Sequence, residues 1–459
     1  MIIVNEIYKA NYDITEADLA TEIVKHKELT PLDLWLLPQY PFDVWRRTYD
    51  YPRILNSIYR RRPDFKEWMI DQGITEEYML GGHLSDFFEH KPLADDLNKH
   101  LVRVTYKGMI NLQSWHAYNV DDLFGEDAGV EYEYIKSYLS YYDWILRKKG
   151  FRFSFMDDLD RMLPNTEEEY VYVSTDVRML KMGGMEPPRN AIQVMLRGKM
   201  LEFVNVSGLV LNGKYYYGTE GNLEFNHCAV DNLKCSELDI PRLSFENCSV
   251  RNMQIANSDI SSWLFATSTV SGKISDSKLL SFRIFGGNFN PTFINSEIDE
   301  WEVIHEGVQH QHDFEKTYRT LSKAADDSAN RTLAADYKIR ELDFIRAKKT
   351  GLEWFWMTLN KLYWGYGQKP FRLIKFSLAV IFALGLIYSF FPGSFTNNAA
   401  TKCYFVSLFN ACYFSIVTFT TLGYGDLSPT GAIRILAAME GLFGAITLGF
   451  LVAGLTKNS

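Results

Sequence analysis

The most specific chemistry in this 459-residue chain lies in five successive residues, Thr421, Leu422, Gly423, Tyr424 and Gly425, followed by Asp426. Glycine tolerates backbone conformations closed to other residues, so glycines at alternate positions let successive carbonyls aim at one axis. Backbone oxygens stacked in this way, with the Thr421 hydroxyl beneath them, can replace the water around a monovalent cation. Leu422 and Tyr424 are then expected to point away from the axis and pack against surrounding protein. Asp426 adds a carboxylate at the end of the stack, where it would concentrate cations. A Gly-Tyr-Gly triplet also occurs in ordinary turns, so its setting carries the weight. A second one, at Gly365-Tyr366-Gly367, lacks the flanking Thr and Asp and an apolar helix before it.

The setting is apolar. Residues 403–419 form an aromatic-rich stretch of helical length immediately before the glycines. Residues 373–391 give a helix of about 28 Å, close to the thickness of a hydrocarbon core, and residues 433–455 give another. Lys369, Arg372 and Lys375 flank the first span, with Arg346, Lys348 and Lys349 upstream. Basic flanks belong on the cytoplasmic side. The first span is therefore expected to run outward, residues 392–402 to form an external turret, residues 403–419 to re-enter, and the last span to return inward. Re-entrant backbone is tolerated in a membrane only where it is buried in protein or lines water.

In the order spanning helix, pore helix, Thr420-Thr421-Leu422-Gly423-Tyr424-Gly425-Asp426, Ser428-Pro429, spanning helix, residues 370–459 resemble the two-transmembrane potassium channels. The resemblance implies potassium bound by Thr421, Leu422, Gly423, Tyr424 and Gly425, with filter residues 420–426. It implies that Thr418 and Thr420 lie below the filter, that Tyr413 and Phe414 belong to an aromatic cuff, and that a Tyr413 to Asp426 hydrogen bond holds the outer mouth. Two departures stand out: Val417 where some relatives carry a glutamate, and Leu422 for the commoner valine. Glu440 in the second span is costly in lipid and is expected either to hydrogen-bond behind the filter or to act as a water-facing structural group. Gly444, with Gly441 and Gly449 as rivals, is the candidate gating hinge, and close helix packing accounts for the same glycines. One filter per chain and no Arg-rich span imply a homotetramer without an ordinary voltage sensor. A nonselective cation channel and a non-conducting, membrane-anchored interaction scaffold are the alternatives.

Upstream the period changes to five. Every fifth residue from Phe225 is apolar for ten positions: Phe225, Val230, Cys235, Ile240, Phe245, Val250, Ile255, Ile260, Phe265 and Val270. At 47% hydrophobic residues, chance gives such a run roughly once in two thousand trials per frame. A second inward slot lies two residues earlier, from Leu223 to Ser268, and Asn recurs at 232, 247, 252 and 257, where corner turns would suit it. Residues 199–303 resemble the pentapeptide-repeat family, which implies a right-handed, four-sided β-helix. Phe225 to Ile298 would make three to four coils, with a register slip near Phe285 to Phe289. Some acidic members of that family mimic DNA. Beside a membrane pore, a spacer, an oligomer contact or a regulatory surface is the expected role.

Residues 1–198 read as a cytoplasmic α+β domain. Thr15 to His26 and Val130 to Lys149 show helical spacing, whereas Leu101 to Tyr106, Phe151 to Phe155 and Tyr170 to Ser174 alternate like strands. His26, His83, His90, His100 and His116 form no ligand-spaced motif, and Asp157, Asp158 and Asp160 read as a solvated helix start. Residues 304–350 read as a helical hairpin linker turning near Asp327-Ser328. His305, Glu306, His310 and His312 within it do not match the HExxH zinc spacing. Residues 351–368, rich in Trp and Tyr, read as an interfacial amphipathic helix before the pore domain at 369–459.

The formal charge of −9 and the lack of Lys/Arg-rich runs exclude a general nucleic-acid binder. Five cysteines without paired spacing point to reduced, buried thiols. No nucleophile-base pair supports an enzyme. Residues 1–6 carry no basic-then-apolar leader pattern, so a cytoplasmic N-terminal region is expected. With the chain ending at Ser459, cytoplasmic control is expected to reach the pore through the N-terminal part and Lys369-Pro370. The fold class is thus a multidomain membrane protein, an all-α two-span pore preceded by an α+β domain and a β-helix. Its expected setting is the cell membrane, with both termini cytoplasmic, lipid and further copies of itself as partners, no cofactor, and potassium as the permeant ion.

Overall fold

The computed structural model describes residues 2–62, 64–84, 87, 98–115, 129–148, 179–188, 191, 195, 198–213, 223–240, 242–299, 301–304, 311–396 and 404–458. The chain divides into two compact units, Met1–Thr320 and Leu321–Ser459.

The first unit begins with short helices whose starts are written into the sequence. Thr15 caps Glu16–Ile23, and Thr30 with Asp33 forms a capping box on Pro31–Leu36. Asp33 also accepts the Val4 amide at 3.0 Å, tying the first helix to the third. Helices Tyr51–Arg61 and Phe65–Gln72 bury Tyr51, Ile54, Phe65 and Trp68 with Tyr138, Tyr141 and Trp144, a core dominated by tilted and edge-on aromatic pairs. Against it lies an antiparallel sheet in which Asn98–Tyr106 stands between Met109–Trp115 and Val130–Leu139. The helical spacing read in Val130 to Lys149 is thereby corrected: residues 130–139 are a strand, and a helix starts only at Tyr141. Its partners step from Lys136 to Tyr134, skipping Ile135. The extra residue of this bulge breaks the two-residue alternation, which made the apolar spacing look helical. The strands expected at Phe151 to Phe155 and Tyr170 to Ser174, the Asp157 to Asp160 group, His90 and His116 lie outside the described residues.

A β-solenoid follows. Lys199–Glu202, Leu223–Asn226, Leu243–Glu246, Leu264–Ala266, Arg283–Phe285 and Glu302–Ile304 stack as a six-stranded parallel sheet. Leu201, Phe225, Phe245, Phe265, Ile284 and Val303 form one inward column, at steps of 24, 20, 20, 19 and 19 residues. Phe225, Phe245 and Phe265 stack nearly face to face, 5.0 and 5.2 Å apart. From Leu223 to Val270 the inward slots other than Ile240 are buried, and the turn positions His227, Asn232, Glu237, Asn247, Asn252, Asn257, Ser262 and Thr267 all take left-handed φ between 46° and 58°. Asparagine recurs there because its short polar side chain tolerates that conformation. The inward serines are not orphaned: Ser258 and Ser268 accept the amides of Leu238 and Cys248 at 3.1 and 3.0 Å. Cys228, Cys235 and Cys248 are buried free thiols, and burial pushes the Cys235 thiol up to about 12, which keeps it a packing group.

The register slip lies earlier than the expected Phe285 to Phe289. Val250 pairs with Val270, twenty residues on, but Ile255 pairs with Ile274, nineteen on. Gly272 makes the short side possible. Its φ is +147°, and a Cβ there would lie 2.0 Å from the Met253 carbonyl oxygen, so the chain cuts a corner no larger residue can cut.

The first coil ends against the helices. Gln39 accepts the Met200 amide at 2.9 Å and donates to its carbonyl at 3.2 Å, continuing the ladder with a side-chain amide and covering an otherwise open edge. Arg46 forks onto Asp50 and donates to the Glu202 carbonyl, while Glu202 accepts the Leu84 amide. Lys199 is buried between them, donating to the carbonyls of Leu34 and Trp35 at 3.0 and 2.9 Å beside the Phe42 and Trp35 rings. At the far end, helix Gln311–Asp327 places the Thr320 hydroxyl 2.8 Å from Asn290.

The second unit contains Arg331–Ala347, capped by Asn330, then Gly351–Trp364, Phe371–Ser389, Tyr404–Phe419 and Ile433–Asn458. Phe371–Ser389 and Ile433–Gly454 are long and apolar enough to cross a membrane, with mean hydropathy 1.9 and 2.0. Gly351–Trp364 buries none of its side chains, ends at a left-handed Gly365, and joins its neighbours through Lys361 to Asp343 at 2.8 Å and the Trp364 ring 4.8 Å from Phe450. Ion pairs join Lys338 to Glu341 and Asp343 to Arg346 and Lys361. His305, Glu306 and His310, Cys403 and residues 397–402 lie outside the described residues.

Desolvation lowers Lys199 to about 7 from its usual 10.5, only partly opposed by Asp43. Above pH 7 the unfolded chain still binds the proton that the folded chain has lost, so stability rises with pH through the window 7 to 10.5. Below 7 both states are protonated and the contribution is flat. Thermal unfolding of the full chain followed by circular dichroism is expected to show this rise, at most about 1.4 kcal/mol per pH unit. Lys199→Met is expected to abolish it.

Candidate functional site

The helix Tyr404–Phe419 ends where the glycine-rich segment begins, and its last carbonyls do not stay idle. The amide of Thr421 donates to Thr418 at 3.0 Å, and those of Leu422 and Gly423 both reach the Val417 carbonyl, at 3.0 and 3.5 Å. In a planar trans peptide the carbonyl of one residue points opposite to the amide of the next. Anchoring these amides to the helix therefore turns the carbonyls of Thr420, Thr421 and Leu422 away from it, onto the other side of the segment.

The dihedrals extend the pattern. Thr421, Gly423 and Gly425 all lie in the left-handed region, with φ of 58°, 56° and 75°. A Cβ on Gly423 or Gly425 would meet nothing within 4 Å, so these glycines answer to conformation and not to space. Sequence reasoning anticipated the glycines but missed Thr421, a non-glycine residue held at positive φ. The positions alternate every second residue, and that spacing was the available signal.

Around the segment each expected side chain has a place. Thr420 turns its hydroxyl back to the Ile416 carbonyl at 2.7 Å, and the Thr418 methyl packs beside Gly441. Asp426 accepts the Leu427 amide at 3.0 Å and hydrogen-bonds the Tyr413 hydroxyl. Leu422 and Tyr424 are exposed in the single chain, 59% and 68%, so no part of their own subunit covers them. Phe414 is buried, with ring contacts to Tyr388 at 5.2 Å and Phe395 at 4.9 Å, and Ile433 and Ala437 complete that core. Beyond the glycine-rich segment, Ser428–Pro429 pairs antiparallel with Phe395–Thr396, and Thr430 donates to Ser394 at 2.8 Å. The segment is thus clamped to a helix on one side and to the turret on the other.

The three candidate hinge glycines do not share one environment. A Cβ on Gly444 would lie 1.9 Å from the Phe419 carbonyl oxygen, so the last helix touches the end of the pore-helix segment there, backbone to backbone. Gly441 faces Thr418 at ordinary contact distance, and Gly449 faces nothing within 4 Å. Glu440 is buried, 2% exposed, and accepts hydrogen bonds from Tyr388 at 2.7 Å and from Ser415. Neither hydroxyl was identified from sequence, because both lie far from Glu440 along the chain. Among the described residues no group of three or more His, Cys, Asp or Glu side chains is arranged to hold a metal ion.

A stack of outward-turned carbonyls between two apolar, membrane-length helices can exchange a cation's water for backbone oxygen. Comparison with known proteins agrees with that chemistry. A family model described as an ion channel matches residues 376–458. The potassium channel protein kcv of Paramecium bursaria Chlorella virus 1 is 40% identical over 68 residues, 14% of this chain and 69% of that protein. No solved structure matches the chain significantly.

The glycine environments separate by substitution. Gly444→Ala is expected to destabilise the folded protein by about 1–3 kcal/mol through overpacking against Phe419, whereas Gly449→Ala costs less than about 0.5 kcal/mol. Thermal melting of the detergent-solubilised full chain checks both.

Proposed function

Because the chain belongs to the ion channel family through its C-terminal segment, we propose that it is a potassium-selective channel of the cell membrane. The observation that carries this reading is the backbone geometry of the segment, in which amides anchored on Val417 and Thr418 turn the carbonyls of Thr420, Thr421 and Leu422 to one side and left-handed residues alternate from Thr421 to Gly425. Those five residues bind the permeating potassium ion. One chain supplies one quarter of a ring, and the exposed faces of Leu422 and Tyr424 are what neighbouring copies would cover, so the active form is a homotetramer. Asp426 of each copy lines the outer mouth, held by Tyr413. The protein needs no cofactor and carries out no enzymatic reaction.

The spans run so that both termini are cytoplasmic, as the basic residues before the first span require. The aromatic helix Gly351–Trp364, with Trp356 and Leu362 more than 60% exposed, lies at the lipid headgroups. The β-solenoid and the α+β region form a cytoplasmic part that modulates gating. The lower part of the inner helix bends at Gly449, where a Cβ would meet nothing within 4 Å, while Gly444 stays fixed against the pore helix.

The decisive experiment is bi-ionic reversal of full-length protein in bilayers. A reversal potential displaced far from zero, in the direction that marks potassium as the more permeant ion, supports the proposal. Equal sodium and potassium permeability turns it into a nonselective channel, and no flux under any voltage or ligand leaves a membrane-anchored scaffold. Gly423→Asp is expected to abolish flux. Tyr413→Phe removes one hydrogen bond of about 1 kcal/mol at the outer mouth and is expected to speed inactivation about fivefold, read from macroscopic current decay.

A further inference from the structure

Glu440 sits inside a membrane-spanning helix, where a carboxyl group has no water to solvate it and persists only with partners. Its two oxygens are divided between two other helices. Oε2 accepts from the Tyr388 hydroxyl of the first span at 2.7 Å, and Oε1 takes the Ser415 hydroxyl of the pore helix. The same Ser415 hydroxyl lies 2.9 Å from the Ile381 carbonyl of the first span, so its one hydrogen is shared between the two acceptors. One side chain therefore joins the inner, outer and pore helices at a single buried point. Around it, Gly385 brings the first span against Cys412, and Tyr388 packs edge-on to Phe414, so the helices have little freedom to drift.

Ser415 stands two residues before Val417, whose carbonyl holds the amides of Leu422 and Gly423. A line of contacts consequently runs from the inner helix to the carbonyls of the conducting segment: Glu440, Ser415, the last turn of the pore helix, the Val417 carbonyl, Leu422 and Gly423. Val417 itself offers no side-chain hydrogen bond to the segment. The polar contacts of Ser415 on the back of the pore helix go to Glu440 of the inner helix and to Ile381 of the first span.

We propose that Glu440 is a positioning residue for the filter, fixing the height and rotation of the pore helix through Ser415 and Tyr388 and thereby setting ion discrimination. This rests on the reading of Thr421 to Gly425 as the potassium pathway. What matters is the forked pattern of contacts, which glutamine also offers: its oxygen accepts from Tyr388, and its amide donates to the Ser415 oxygen, whose single hydrogen then goes wholly to the Ile381 carbonyl. Alanine offers neither.

The test compares sodium-to-potassium permeability ratios of full-length channels in liposomes, from bi-ionic reversal potentials. Glu440→Ala and Ser415→Ala are expected to raise the ratio about fivefold or more, and Glu440→Gln to stay within about twofold of the wild type. Thermal melting and oligomer size, measured on the same preparations, identify variants that merely fail to fold. Ser415→Ala removes a single oxygen and keeps the question answerable if Glu440→Ala is lost. A folded Ser415→Ala channel with the wild-type ratio overturns the proposal, as does a Glu440→Gln channel as unselective as Glu440→Ala. A wild-type channel that does not discriminate defeats the potassium reading itself. A selective wild type with an unchanged Ser415→Ala defeats only this inference.

Discussion

A cation leaves water only for oxygens held in the positions its hydration shell occupied, and in the pathway proposed for this protein those oxygens belong to the backbone. A peptide plane is aimed by what its amide does, so the arrangement depends on the last turn of the helix Tyr404–Phe419, where the Thr418 and Val417 carbonyls anchor the amides of Thr421, Leu422 and Gly423. Those carbonyls are free because a helix leaves its final acceptors unsatisfied. The same end of the helix also carries the negative pole of its dipole, which favours a cation nearby. The rest of the second unit reads as support for this turn: Phe419 held against Gly444, Phe414 against Tyr388 and Phe395, and the turret strand paired beyond the glycines.

The first unit solves a different problem, that of ending a stack of parallel strands without leaving an edge to aggregate. At its start Gln39 mimics a neighbouring strand, and Arg46, Asp50 and Glu202 satisfy one another where the helices meet the first coil. Buried charge of this kind adds little net stability but tolerates few alternatives, which favours one register over its neighbours. The left-handed turn at each corner and the stacked phenylalanines make each coil depend on the next, so the solenoid behaves as a stiff rod whose irregularities, such as Gly272, are localised.

Much of this was legible because short-range patterns report directly on local backbone. The five-residue period marked the solenoid, and the asparagines marked its corners. Elsewhere the pattern misled for physical reasons. The bulge at Ile135 disguised a strand as a helix, and a one-residue shortening at Gly272 was read from the sequence thirteen residues later, as an apparent slip near Phe285. The environments of Gly441, Gly444 and Gly449 were indistinguishable in sequence, because each is a small residue in one apolar helix.

By itself the sequence determined the residue types at the conducting segment, the two membrane-length helices around it and the repeat that precedes them, since conformational tolerance, helix length and periodicity are properties of nearby residues. Only the tertiary structure decided which carbonyl anchors which amide, which glycine is fixed by a neighbouring backbone, and which hydroxyls meet Glu440. Tyr388, Ser415 and Glu440 lie on three helices, the first two 52 and 25 residues from Glu440 along the chain, and only the way those helices pack brings them together.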